Sequence, residues 1–101
     1  MFQETKIVDE QLQVILTGSI YVQDANAMRK TLNTFIDNGQ MSFLIDLSQV
    51  DYIDSTGLGM LISVRKQAML SGGSVRLKGL NGLVKELFEL TRLTKVFEIQ
   101  Q

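Results

Sequence analysis

The chain has 101 residues, 45% of them hydrophobic and 21% charged, with a formal net charge of −1; this is one domain's worth of core in an ordinary globular composition, neither disordered nor fibrous. Lysine and arginine are spread without a basic cluster, which argues against direct nucleic-acid binding and an anionic membrane surface, and MFQETKIVDE has no signal-peptide pattern, so a cytoplasmic location is expected. Cysteine and histidine are both absent, which excludes disulfides, thiolate nucleophiles, the common triads and most transition-metal sites, and lowers the expectation of an enzyme.

TKIVD and LQVILTG, joined by Asp9, Glu10 and Gln11, read as two strands of a hairpin. From Asp24 onward Ala25, Met28, Leu32, Phe35 and Ile36 share one face at helical spacing. Arg29, Lys30, Asn33 and Asp37 take the other face, and Gly39 supplies the stop, which predicts a first helix. MSFLIDL is a near-continuous apolar run, the pattern of a central strand buried on both faces. Leu58, Leu61, Ile62, Arg65 and Met69 predict a second helix ending at Ser71, Gly72 and Gly73. SVRLKG is a short strand. Asn81 is placed to cap a third helix with Leu83, Val84, Leu87 and Leu90 inward, and KVFEI makes a last strand. The order β-β-α-β-α-β-α-β implies an α/β domain spanning residues 1–101. A mixed sheet of four to five strands packs against helices, with the strand-to-helix loops along its carboxyl edge.

One of those loops, in the stretch DYIDSTGLGML, gathers an acid, two hydroxyls and two glycines between the central strand and the second helix. Ser55 stands at the expected N-cap, while Gly57 and Gly59 would let a docking group approach the backbone. A lone Asp-Ser pair here would be read as a helix cap; the added glycines turn the reading toward a site. GLG lacks the third glycine of a dinucleotide fingerprint, since Ile62 occupies that place, and no Walker lysine follows. Asp46, Asp51 and Asp54 could hold a magnesium ion, but a strand end, a loop acid and a cap acid explain them better, so no metal or cofactor is expected. A nucleophilic serine has no histidine to serve as its base.

DLSQVDYIDSTGLGML, from Asp46 to Leu61, resembles the signature of anti-sigma factor antagonists of the STAS domain family, an apolar strand followed by D-L-S-x-V-x-[FY]-I-D-S-[ST]-G-[LI]-G and a helix. The resemblance extends along the whole chain in element order and length. It implies a small cytoplasmic switch. An anti-sigma factor that is also a serine kinase phosphorylates the serine that is Ser55 here, the unmodified form binds that partner and frees the sigma factor, and a protein phosphatase resets it. Family members often carry an acid just after the glycine of the second strand, where this chain has GSIYVQDA, with Tyr21 and later Asp24. This departure bears on which partner is bound.

The resemblance and the carboxyl-edge reading together imply a partner-binding face of Tyr21, Asp24, Asp54, Ser55, Thr56, Gly57 and Leu58. Tyr21 is either packed against the first helix or a binding anchor. STAS domains also serve as non-switching scaffolds or interaction subunits in stress-sensing and transport assemblies, the competing expectation. A phosphorylatable hydroxyl in a complete D-S-T-G-L-G argues for the switch.

Overall fold

A computed structural model describes residues 1–100. In chain order these form β1 (Phe2–Val8), β2 (Gln11–Ile20), α1 (Val22–Asp37), β3 (Ser42–Ile53), α2 (Ser55–Leu70), β4 (Ser74–Lys78), α3 (Gly82–Leu90), a 3-10 turn at Leu93–Lys95, and β5 (Glu98–Gln100). The five strands make one mixed sheet in the order β1-β2-β3-β4-β5, with β1 antiparallel to β2 and every other neighbouring pair parallel. The expected fold class is therefore present, and β3 lies at the centre of the sheet.

The hairpin turns on Asp9 and Glu10 alone, both with positive φ (51° and 67°), and Gln11 already pairs with Val8. Two left-handed central residues match the right-handed twist of the flanking strands. From β2 onward each crossover steps to the next strand in the same direction, so right-handed connections bring all three helices to one face. Burial follows that arrangement. Leu12, Val14 and Leu16 of β2, Phe43, Ile45 and Leu47 of β3, and Val75 and Leu77 of β4 are buried on the helix-covered face. Each such side chain contributes about 1.5–3 kcal/mol of hydrophobic stabilisation.

The expectation that β3 is covered on both faces is corrected. Residues of the opposite face, such as Gln13, Ile15, Asp46 and Arg76, are only half-buried. Leu44 is the buried exception; its ladder neighbours are Gln13 and Arg76, both long enough to lie over it. On α2 Leu58, Met60, Leu61, Val64 and Ala68 are buried, while Ile62 and Met69, two of the residues whose spacing predicts the helix, are exposed. On α3 the inward residues are Val84 and Phe88, with Leu87 half-buried; Leu83 and Leu90 are exposed, contrary to expectation. Phe88 meets Phe97 at 6.1 Å between ring centroids, and that pair sets the rotation of α3.

Candidate functional site at the carboxyl edge of the sheet

Strands β2 and β3 end together, with Ile20 paired to Ile53, both buried. The Asp54 amide donates to the Ile20 carbonyl at 3.3 Å, which extends the ladder by one step. The next residues are the N-caps of two helices: Tyr21 precedes α1 and Asp54 precedes α2, each with an extended backbone. Adjacent parallel strands that each pass directly into a helix place both helix starts side by side on one edge, in line with the sequence reading.

The cap of α2 is Asp54 rather than Ser55. Its carboxylate Oδ1 accepts from the Gly57 amide at 2.9 Å, and its carbonyl accepts from the Leu58 amide at 3.0 Å. An acid in extended conformation at this position reaches the third helical amide, and its charge faces the positive end of the helix dipole. Ser55 is thereby the first residue within the helix. It is exposed, and among the described residues its hydroxyl makes no hydrogen bond. Capping and the free hydroxyl are divided between neighbouring side chains.

Gly57 has a different role from the one expected. It is buried, and a Cβ there would lie 2.5 Å from Ile53 Cγ1 and 3.2 Å from Ile20 Cγ2. Its missing side chain lets the first turn of α2 sit down on the ends of β2 and β3, so it serves packing instead of an incoming group. Gly59 is exposed, with open space where a Cβ would be. Thr56 is half-buried and Leu58 is buried in the core, so of the expected docking residues in this loop Ser55 is the exposed one.

On the neighbouring loop, Asp24 Oδ2 accepts from the Tyr21 amide at 3.0 Å and closes the first turn of α1, which begins at Val22, earlier than the sequence pattern indicated. Tyr21 is 51% exposed and its ring lies 5.6 Å from that of Tyr52, tilted by 41°. The Ser19 hydroxyl donates to Asp51 Oδ1 at 2.9 Å and ties the ends of β2 and β3 together again. Tyr52 escaped the sequence reading. Its signal lay in the pairing register, which sets it opposite Ser19, two residues before Tyr21. Asp46, Asp51 and Asp54 do not converge: they accept from the Ser48 amide, the Ser19 hydroxyl and the Gly57 amide respectively, and among the described residues no group of three potential metal ligands comes together. The edge thus carries Tyr21, Tyr52, Asp51 and Ser55 as exposed residues.

A mixed five-stranded sheet with its helices on one face and D-S-T-G-L-G at the turn after the central strand defines a STAS domain, and the STAS domain model matches residues 3–101; the chain belongs to this family. Among its relatives, the anti-sigma-B factor antagonist of Bacillus subtilis (strain 168) is 32% identical over 96 residues, covering 95% of this chain and 87% of the relative. The anti-sigma-B factor antagonist of Listeria monocytogenes is 29% identical over 91 residues, covering 90% and 80%. The fold superposes on the anti-sigma factor antagonist SpoIIAA in its unphosphorylated form with a TM-score of 0.81 at 15% identity, covering 99% of this chain and 88% of that one. On the phosphorylated form of the Bacillus protein SpoIIAA the TM-score is 0.80 at 16% identity, with coverage of 99% and 92%.

Proposed function

We propose that this protein is an anti-sigma factor antagonist, a cytoplasmic binding protein whose hold on an anti-sigma factor is switched at Ser55. In its unmodified state the carboxyl edge docks on the anti-sigma factor and the sigma factor is released to transcription. The observation that carries this reading is the exposed Ser55 hydroxyl, free of any capping duty because Asp54 supplies the cap. Relatives named anti-sigma-B factor antagonists support it.

The switch follows from the local physics. A serine kinase transfers the γ-phosphoryl group of ATP to Ser55 Oγ; the hydroxyl proton passes to a base of the kinase and ADP leaves. The phosphate brings roughly −1.5 to −2 charges to the first helical residue, where the dipole of α2 and its unpaired amides tolerate them. Asp54 and Asp51 are close in sequence, so the edge becomes strongly anionic and repels an acidic or apolar partner surface while the domain stays folded. A phosphatase restores the hydroxyl by hydrolysis, and no metal or cofactor resident in this chain is needed.

The test is incubation of the chain with its anti-sigma kinase and ATP, followed by intact-mass and fragment spectra. One phosphate on Ser55 is the expected result. Modification confined to Thr56 or Ser48, or none with a kinase verified on another substrate, overturns the assignment.

A further inference from the structure

The two edges of the sheet differ. β5 offers three residues, whereas β1 offers seven, paired to β2 in unbroken register from Phe2↔Thr17 to Val8↔Gln11. Every residue of β1 is exposed, and the strand has no proline or bulge. A long, regular edge of this kind leaves a row of backbone donors and acceptors open to another strand. We propose that β1 is a homodimer interface, pairing antiparallel with β1 of a second copy about a two-fold axis at Thr5, so that two sheets join into one of ten strands.

The side chains choose both the partner and the register. With the axis at Thr5, Glu4 of each copy stands opposite Lys6 of the other, Phe2 opposite Val8, and Thr5 opposite Thr5. Opposite charges, aromatic against β-branched, and threonine against threonine are the cross-strand pairs that stabilise antiparallel sheets. Moving the axis one residue either way sets Glu4 against Glu4 or Lys6 against Lys6. An axis between residues would bring the helix-covered face of one copy level with the open face of the other, which breaks the two-fold. The two charges therefore repel most strangers and misaligned copies while being paired in this register. Phe2 and Ile7, 66% and 61% exposed in the single chain, gain cover on pairing. The two carboxyl edges point in opposite directions in the dimer, so both Ser55 sites remain open and the proposal stands independently of the switch.

Sedimentation equilibrium on the purified chain, up to millimolar concentration, should show a monomer–dimer equilibrium. Glu4→Lys and Lys6→Glu, each alone, should raise the dimer dissociation constant by about tenfold or more, since two attractive pairs become repulsive. An equimolar mixture of the two variants should recover dimerisation, because every facing charge pair is again opposite in sign. Circular dichroism melts of both variants verify that they are folded. The chain lacks cysteine, so a Thr5→Cys variant should form an interchain disulfide under mild oxidation several-fold faster than Gln3→Cys. A chain that stays monomeric at millimolar concentration, variants that dimerise as tightly as the parent, or Gln3→Cys cross-linking as readily as Thr5→Cys overturns the interface.

Discussion

The Asp54 carboxylate holds the Gly57 amide at 2.9 Å, and the residue between the cap and that turn, Ser55, is left with its hydroxyl in solvent. Stability and signalling are therefore separable by mutation. Asp54→Ala should lose about 1 kcal/mol of capping, a fall of roughly 4–8 °C in melting temperature for a domain of this size. Ser55→Ala should melt within about 0.5 kcal/mol of the parent, as an exposed first-turn residue with no partner. Thermal melts decide it; a larger loss for Ser55→Ala than for Asp54→Ala would mean that the serine carries the cap.

Charge at Ser55 should act on binding alone. Ser55→Asp places a carboxylate at the start of α2, where the helix dipole favours it by about 0.3–1 kcal/mol, offset in part by neighbouring Asp54. Near-parental melting is expected together with affinity for the anti-sigma factor at least about tenfold weaker, while Ser55→Ala keeps its affinity. Titration calorimetry on the two folded variants measures the difference, and equal affinities would remove charge as the switch.

The order of elements was legible because each strand and helix carries its own period, and the loop DYIDSTGLGML because it packs more polar and small residues than a turn requires. Its inner assignment was less legible. Asp54 and Ser55 are both good capping residues, and only the extended backbone at Asp54 and its reach to Gly57 separate them. In GLVKELFEL Leu83, Leu87 and Leu90 share one face and Val84 and Phe88 lie beside it, so the apolar band is wide and periodicity favours the leucine side; the contact between Phe88 and Phe97 turns Val84 and Phe88 inward instead. The far end of β3 was hidden for another reason. Its register against β2 shifts between Ile15 and Thr17 and again between Gly18 and Ser19, which breaks the alternation that marks a strand.

Two glycines of α2 should respond in opposite senses. Gly57→Ala forces a methyl group to 2.5 Å from Ile53 Cγ1 and should cost about 1–3 kcal/mol by overpacking. Combining it with Ile53→Ala should cost less than the sum of the two single losses, since the clash is removed. Gly59→Ala meets open space in a helix and should gain up to about 1 kcal/mol. Denaturant titrations of the four variants give the signs, and a neutral Gly57→Ala would show that the strand ends yield easily.

Tyr21 and Tyr52, 5.6 Å apart and both exposed, form the apolar part of an edge otherwise made of Asp51 and Ser55. Two tyrosines braced against each other at the neighbouring ends of β2 and β3 present rigid area at little cost in side-chain entropy, a property of binding hot spots. Since Tyr21 is half exposed, Tyr21→Ala should lose no more than about 1 kcal/mol of stability, the worth of an aromatic contact, yet lower affinity for the anti-sigma factor by more than about tenfold. Tyr52→Ala should act alike, and the double variant should lose less affinity than the sum of the two, because each ring holds the other in place. Melting curves and calorimetry on the three variants supply both numbers. Unchanged affinity with a lowered melting temperature would make the tyrosine pair a packing device, and the docking face would then centre on Ser55 and Asp51 without an aromatic anchor.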